Sequence, residues 1–124
     1  MPYKDREKKN AWMRKKYAED DAYRLKQDEK VRARVYARKI RVLTYYGKHK
    51  TLQCCWMGCD VVDPDMLSLD HINNDGAADR LRGVTGTSLY LRVERDGYPP
   101  DLQTLCHNHQ WKKEFMRRAA LRQV

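Results

Sequence analysis

Hydrophobic and polar positions divide the chain into two textures. From about Lys4 to Leu43 there is no glycine, and no proline beyond Pro2, while Lys, Arg, Glu, Gln and Ala dominate. These side chains lose little freedom in a helix, so the stretch predicts helix. Glu19, Asp20 and Asp21 interrupt the basic run. Either aspartate can N-cap a second helix starting near Ala22, and the alternative is one helix on which the acids pair with nearby Arg and Lys. Ala33, Tyr36, Ile40 and Leu43 recur at steps of three and four. The last turns should therefore lay one face on the C-terminal part of the chain, docking the arm there.

Gly47 closes that region, and Gly47-Lys48-His49-Lys50 reads as a turn. Cys54-Cys55-Trp56-Met57-Gly58-Cys59 has the composition of a tight knuckle, and Asp63-Pro64-Asp65 that of a turn. Met66 to Asp70 alternates as a short strand, and Ile72-Asn73-Asn74-Asp75-Gly76 makes a polar loop. Ser88 to Asp96 predicts a helix ended by Gly97, Leu102 to Leu105 a second strand, and Cys106 or His107 to about Arg122 a last helix. On that last helix Trp111, Phe115 and Ala119 are spaced by four. The expected organisation is a helical arm over 1–46 and an α+β domain over 47–124, without internal repeats.

With 124 residues the chain can hold one compact domain, or a smaller one with an appendage. A domain below about 80 residues rarely stabilises itself on an apolar core alone, so a metal staple is expected. The net charge is +9. Residues 1–50 carry 17 basic and 7 acidic side chains, residues 51–124 carry 9 and 10, so the excess falls in the first part. That asymmetry fits a polyanionic partner, because neutralising phosphates releases condensed counterions. No apolar run reaches the roughly 18 residues that span a bilayer, and the first residues lack a signal-peptide core. Trp12, Tyr17, Tyr23 and Val31 do not align into one apolar face for a membrane surface. The expectation is a soluble, cytoplasmic protein with no membrane partner, whose cysteines stay reduced.

Those cysteines are spaced as ligands. Cys55 and Cys59 (C-x3-C) with Cys106 and His109 (C-x2-H) supply the four soft donors of a closed tetrahedral Zn²⁺ site. A C-x4-C pairing of Cys54 with Cys59 is the alternative for the first half. His107 is the alternative for the fourth ligand, although its place next to Cys106 turns it about 100° away around a helix.

Asp70-His71 falls where a strand ends and a polar loop begins. Phosphodiester hydrolysis needs a deprotonated water, charge neutralisation on the phosphate and stabilisation of the leaving oxygen. An aspartate holding a hard divalent cation, a histidine as general base and a water supply all three. The dipeptide alone reads first as a strand end with a solvated acid and a hydrogen-bonded histidine.

Knuckle, then Leu-Ser-Leu-Asp-His-Ile-Asn-Asn-Asp-Gly over 67–76, then Leu-Gln-Thr-Leu-Cys-His-Asn-His-Gln-Trp-Lys-Lys over 102–113, resembles the HNH endonuclease family of phage and bacterial genomes. The resemblance covers roughly residues 52–118. It implies a ββα-metal (His-Me finger) fold, DNA as substrate and Mg²⁺ or Mn²⁺ at the catalytic site. It implies that Asp70 binds that metal, that His71 activates water, and that Cys55, Cys59, Cys106 and His109 hold structural zinc, His109 replacing the usual cysteine. The family's last metal-site residue, His or Asn, falls on Gln110. Glutamine offers the same carbonyl oxygen one methylene further out, and His107 and Asn108 are neighbouring alternatives. Asn73, Asn74 and Asp75 can contact metal, water or backbone, and Lys112, Lys113, Arg117 and Arg118 are placed for phosphates.

The expected function is therefore a metal-dependent endonuclease. One rival is a catalytically inactive, zinc-stabilised DNA-binding module in which Gln110 marks a lost metal site. Another is an assembly factor whose arm grips a protein, which leaves Asp70 and His71 idle.

Overall fold

The computed structural model of the chain describes residues 3–81, 83 and 86–123. It is α+β, with helices α1 (Tyr3–Glu19), α2 (Asp21–Tyr45), α3 (Gly76–Leu81), α4 (Thr87–Arg95) and α5 (His107–Arg122) and strands β1 (Leu67–His71) and β2 (Leu102–Cys106). Short 3-10 turns lie at Lys48–Lys50 and Pro64–Met66. Two compact units divide the chain, residues 1–36 and 37–124, and the division falls within α2. No described helix is long and apolar enough to cross a membrane.

In the first unit the acidic interruption is a helix boundary. Asp20 stands between α1 and α2, and its Oδ1 accepts the Tyr23 N–H at 3.0 Å, the N-cap bond that satisfies a first-turn donor. The Trp12 and Tyr23 rings meet edge to face with centroids 6.2 Å apart, and Lys16 Nζ lies 4.9 Å from the Trp12 centroid and 5.0 Å from that of Tyr23. Tyr17 donates its hydroxyl to Asp28. These contacts, rather than an apolar core, join the two helices of this unit.

The second unit has the core. Its α2 portion buries Val42 and Leu43, followed by Tyr46, against Leu67 and Leu69 of β1, Leu102 and Leu105 of β2, and Tyr90 and Val93 of α4. Of the positions expected to form this face, Leu43 is buried and Ile40 half-buried, whereas Ala33 and Tyr36 belong to the first unit. Each fully buried leucine contributes about 1.5–3 kcal/mol, and a core this small is one that a metal staple would reinforce.

The sheet is one antiparallel pair, with Leu67 opposite Cys106, Leu69 opposite Thr104 and His71 opposite Leu102. Alternation along β1 turns Leu67 and Leu69 into the core and leaves Ser68 and Asp70 on the other side. The residue after β2 is the first of α5, so strand, strand and helix follow in the order that brings α5 across β1. Buried Thr104 knits the layers together. Its hydroxyl donates to the Leu43 carbonyl at 2.8 Å, its N–H to the Tyr46 carbonyl at 3.1 Å, and its own carbonyl accepts the Cys55 N–H at 2.8 Å.

The charge excess follows this division less sharply than the sequence suggests. Residues 1–36 hold 12 basic and 7 acidic side chains, +5, and residues 37–124 hold 14 and 10, +4, because five of the basic residues counted with the arm lie between Arg38 and Lys50.

Candidate metal centre and the adjacent cleft

Four soft donors converge where the knuckle meets the end of β2 and the start of α5. The sulfurs of Cys54, Cys59 and Cys106 and a ring nitrogen of His109 all lie within 4.8 Å of one another. Cys59 and Cys106 sulfurs are 4.0 Å apart, and His109 Nδ1 is 3.1 Å from the Cys106 sulfur and 3.7 Å from that of Cys54. A tetrahedral zinc ion with Zn–S bonds of about 2.3 Å spaces its sulfurs roughly 3.8 Å apart, so the cluster fits the ion in donor type, number and spacing. The three thiols are buried, and burial pushes the Cys54 thiol up to about 11. A bound cation compensates the cost of burying thiolates. The cluster is thus a Cys3His site able to hold zinc.

The structure corrects one ligand: Cys54, not Cys55, faces the cluster. The two are consecutive residues of an extended segment and point to opposite sides. Cys54 donates its N–H to Val61 O, while Cys55 donates its N–H to Thr104 O and its thiol to the Tyr46 carbonyl at 3.0 Å. The C-x4-C arrangement follows, closed by a turn in which the Cys59 N–H returns to Trp56 O at 3.0 Å. Gly58 takes the left-handed φ of +79° that this turn requires. Two further features anchor the site. The Cys106 N–H donates to the Cys54 sulfur at 3.3 Å, and Trp56 lies flat on His109, 4.8 Å between centroids and 4° between planes.

Beyond β1 a cleft of about 710 Å³ opens between the strand end, the start of α3 and α5. Asp70, His71, Asn74, His107 and Gln110 line it, together with Glu114 and Arg117 further along α5. Asn73 and Asp75 are exposed outside its lining, and so is Asn108. His71 is the last residue of β1, and its ring is backed by Gly76. A Cβ at that position would come within 2.9 Å of His71 Nδ1, so only glycine lets α3 begin this close to the imidazole.

Asp70 is held from two sides. Its Oδ2 accepts from Gln103 Nε2 at 2.9 Å, on the cross-strand partner, and from Lys113 Nζ at 2.7 Å. Lys113 also donates to the His71 carbonyl at 2.7 Å. Gln110 turns its amide nitrogen onto Ser68 Oγ and the Leu105 carbonyl, and His107 Nε2 donates to the Asp65 carbonyl at 3.3 Å. Glu114 accepts from Arg117 and Arg118, and the Arg117 guanidinium holds its carboxyl down to about 2. Trp111 and Phe115 stack on each other, and both residues are more than half exposed.

The structure thus gathers Asp70, His71, His107 and Gln110 in one cleft and the three cysteines with His109 in a separate cluster, and α5 serves both. Sequence reasoning did not find the Lys113–Asp70 pair or the Trp56–His109 stack. Spacing within α5 puts Lys113 one turn beyond Gln110, but only the crossing of α5 over β1 makes it a partner of Asp70. Comparisons of the chain with protein-family models, with curated proteins and with solved structures gave no match.

Proposed function

We propose that residues 37–124 are a metal-dependent endonuclease of the HNH, ββα-metal type that hydrolyses DNA phosphodiester bonds. The observation that carries this reading is the cleft itself. An aspartate and a histidine, consecutive at a strand end, face a helix that begins at the paired strand and is pinned there by the Cys3His cluster.

In this reading a divalent cation at Asp70, with Gln110 the candidate second ligand, supplies charge neutralisation at the scissile phosphate and at the leaving oxygen. Asp70 still has Oδ1 to offer, since the bonds from Gln103 and Lys113 both fall on Oδ2. His71 takes the proton from the attacking water at its imidazole, which Gly76 and the end of β1 hold in place. Arg117 and Arg118 bind flanking phosphates, exchanging Glu114 for the substrate. The basic first unit adds non-specific attraction to the DNA backbone, and the zinc cluster fixes α5 relative to β1.

One observation favours a second reading, a zinc-stabilised DNA-binding module without catalysis. The Asp70 carboxylate is already neutralised by Lys113, and the Gln110 amide nitrogen is committed to β1 and β2. A plasmid-nicking assay on zinc-loaded protein with Mg²⁺ or Mn²⁺ separates the two. Nicking that disappears in His71→Ala and with EDTA is the expected result. Folded, DNA-binding wild type that leaves plasmid intact would establish the second reading.

A further inference from the structure

The geometry points to Lys113 as the resident cation of the Asp70 carboxylate, competing with any divalent metal for it and setting how strongly the cleft binds one. This rests on the reading of the cleft as a divalent-metal site. The ammonium sits 2.7 Å from Oδ2, with the Lys113 side chain 19% exposed and that of Asp70 17%. At such burial solvent and salt screen the pair weakly, so a positive charge there opposes a second one strongly. Lys113 is held in register by its other bond, to the His71 carbonyl.

Among the described lining residues the other carboxylate, Glu114, offers no substitute. Glu114 is engaged by Arg117 at 2.6 Å and Arg118 at 3.0 Å. Both acids among the described lining residues are thus paired with bases of the same helix, α5. Hard dications gain affinity from uncompensated oxygen charge, and here the protein has supplied the compensation itself. A cation reaching Asp70 must displace Lys113 from Oδ2 or tolerate it as a neighbour. Either way binding is weakened, while Lys113, once displaced, becomes available to a phosphate. Lys113 is a positioning residue in this scheme, acting on the site through Asp70.

The test is a Mn²⁺ titration of zinc-loaded, full-length protein followed by electron paramagnetic resonance, without DNA. Lys113→Met and Lys113→Gln should each bind Mn²⁺ at least about tenfold more tightly than wild type. The glutamine variant keeps a hydrogen-bond donor and so isolates the charge. Asp70→Asn in the Lys113→Met background should abolish the gain, which places the ion at Asp70. Unchanged zinc content and melting temperature report that the variants fold. Equal or weaker Mn²⁺ binding by both Lys113 variants would overturn the inference, as would a gain that survives Asp70→Asn. Nicking by wild type is scored separately. Tighter Mn²⁺ binding in a protein that never cuts DNA would remove the nuclease reading and leave Lys113's role intact, and nicking without the gain would do the reverse.

Discussion

The Cys106 backbone N–H donates to the Cys54 sulfur at 3.3 Å, so the end of β2 and the knuckle before β1 are joined at a donor of the Cys3His cluster. Cys54 and Cys55 should therefore respond differently to the same substitution. Cys54→Ala removes one of four ligands and the acceptor of that N–H. Bound zinc, measured with a colorimetric chelator, should fall well below one equivalent. Because about 1 kcal/mol moves the melting temperature of a domain this size by roughly 4–8 °C, the drop should exceed about 10 °C. Cys55→Ala should keep a full equivalent and lose only a few degrees, through its hydrogen bond to Tyr46. Equal zinc loss in both variants would contradict the assignment.

Much of this arrangement was legible from spacing, and the part that was not has a definite physical origin. C-x2-H at a helix start places Cys106 and His109 on one face whatever the tertiary fold, and the strand ending at Asp70-His71 was set by alternation and the polar loop after it. The choice between Cys54 and Cys55 is a parity question. It depends on which of two consecutive residues the extended chain turns toward the cluster, and that is decided by the pairing of Cys55 with Thr104, some fifty residues away. The Lys113 pairing depends in the same way on how α5 crosses β1. Helix α3 lay outside the expectations, since Gly76 at its start reads locally as the end of a loop rather than as clearance for the His71 ring.

Thr104 offers a second test, of the joint between α2 and β2. Its fully buried hydroxyl donates to the carbonyl of Leu43 in the last turn of α2, a group with no helical donor ahead of it. Thr104→Val is nearly isosteric yet leaves that carbonyl without its side-chain donor, and should cost about 1–3 kcal/mol in urea unfolding. Thr104→Ser keeps the donor and drops one methyl, and should cost about 1 kcal/mol. A valine variant more stable than the serine one would show that packing, not the hydrogen bond, holds the joint.

Tyr46 should set part of the alkaline limb of stability. Burial pushes its hydroxyl from 10.0 up to about 12, with Tyr45, Tyr98 and Asp101 adding negative charge nearby, and the hydroxyl donates to the Pro99 carbonyl. The folded state thus holds this proton more tightly than the unfolded state does. The contribution is fully present below pH 10 and is lost as pH rises through about 12. Two pH units of difference on a residue 8% exposed amount to about 2–3 kcal/mol. Urea unfolding of wild type and Tyr46→Phe at intervals from pH 9 to 12 should show the wild type losing up to that amount relative to the variant. Parallel pH profiles would mean that the hydroxyl ionises as freely folded as unfolded.

The first unit bears on the nucleic-acid reading through salt. Lys8, Lys9 and Lys15 are exposed on α1, whereas Lys16 is engaged with the Trp12 and Tyr23 rings. If the exposed three meet phosphates, replacing them with alanine leaves the fold intact and weakens binding to any duplex alike. The slope of log affinity against log salt should then become shallower by roughly 0.9 for each phosphate that is no longer neutralised. Fluorescence anisotropy with an arbitrary duplex between about 50 and 200 mM salt measures it directly. An unchanged slope in the triple variant would take the arm off the DNA and leave the attraction to the +4 carried by residues 37–124.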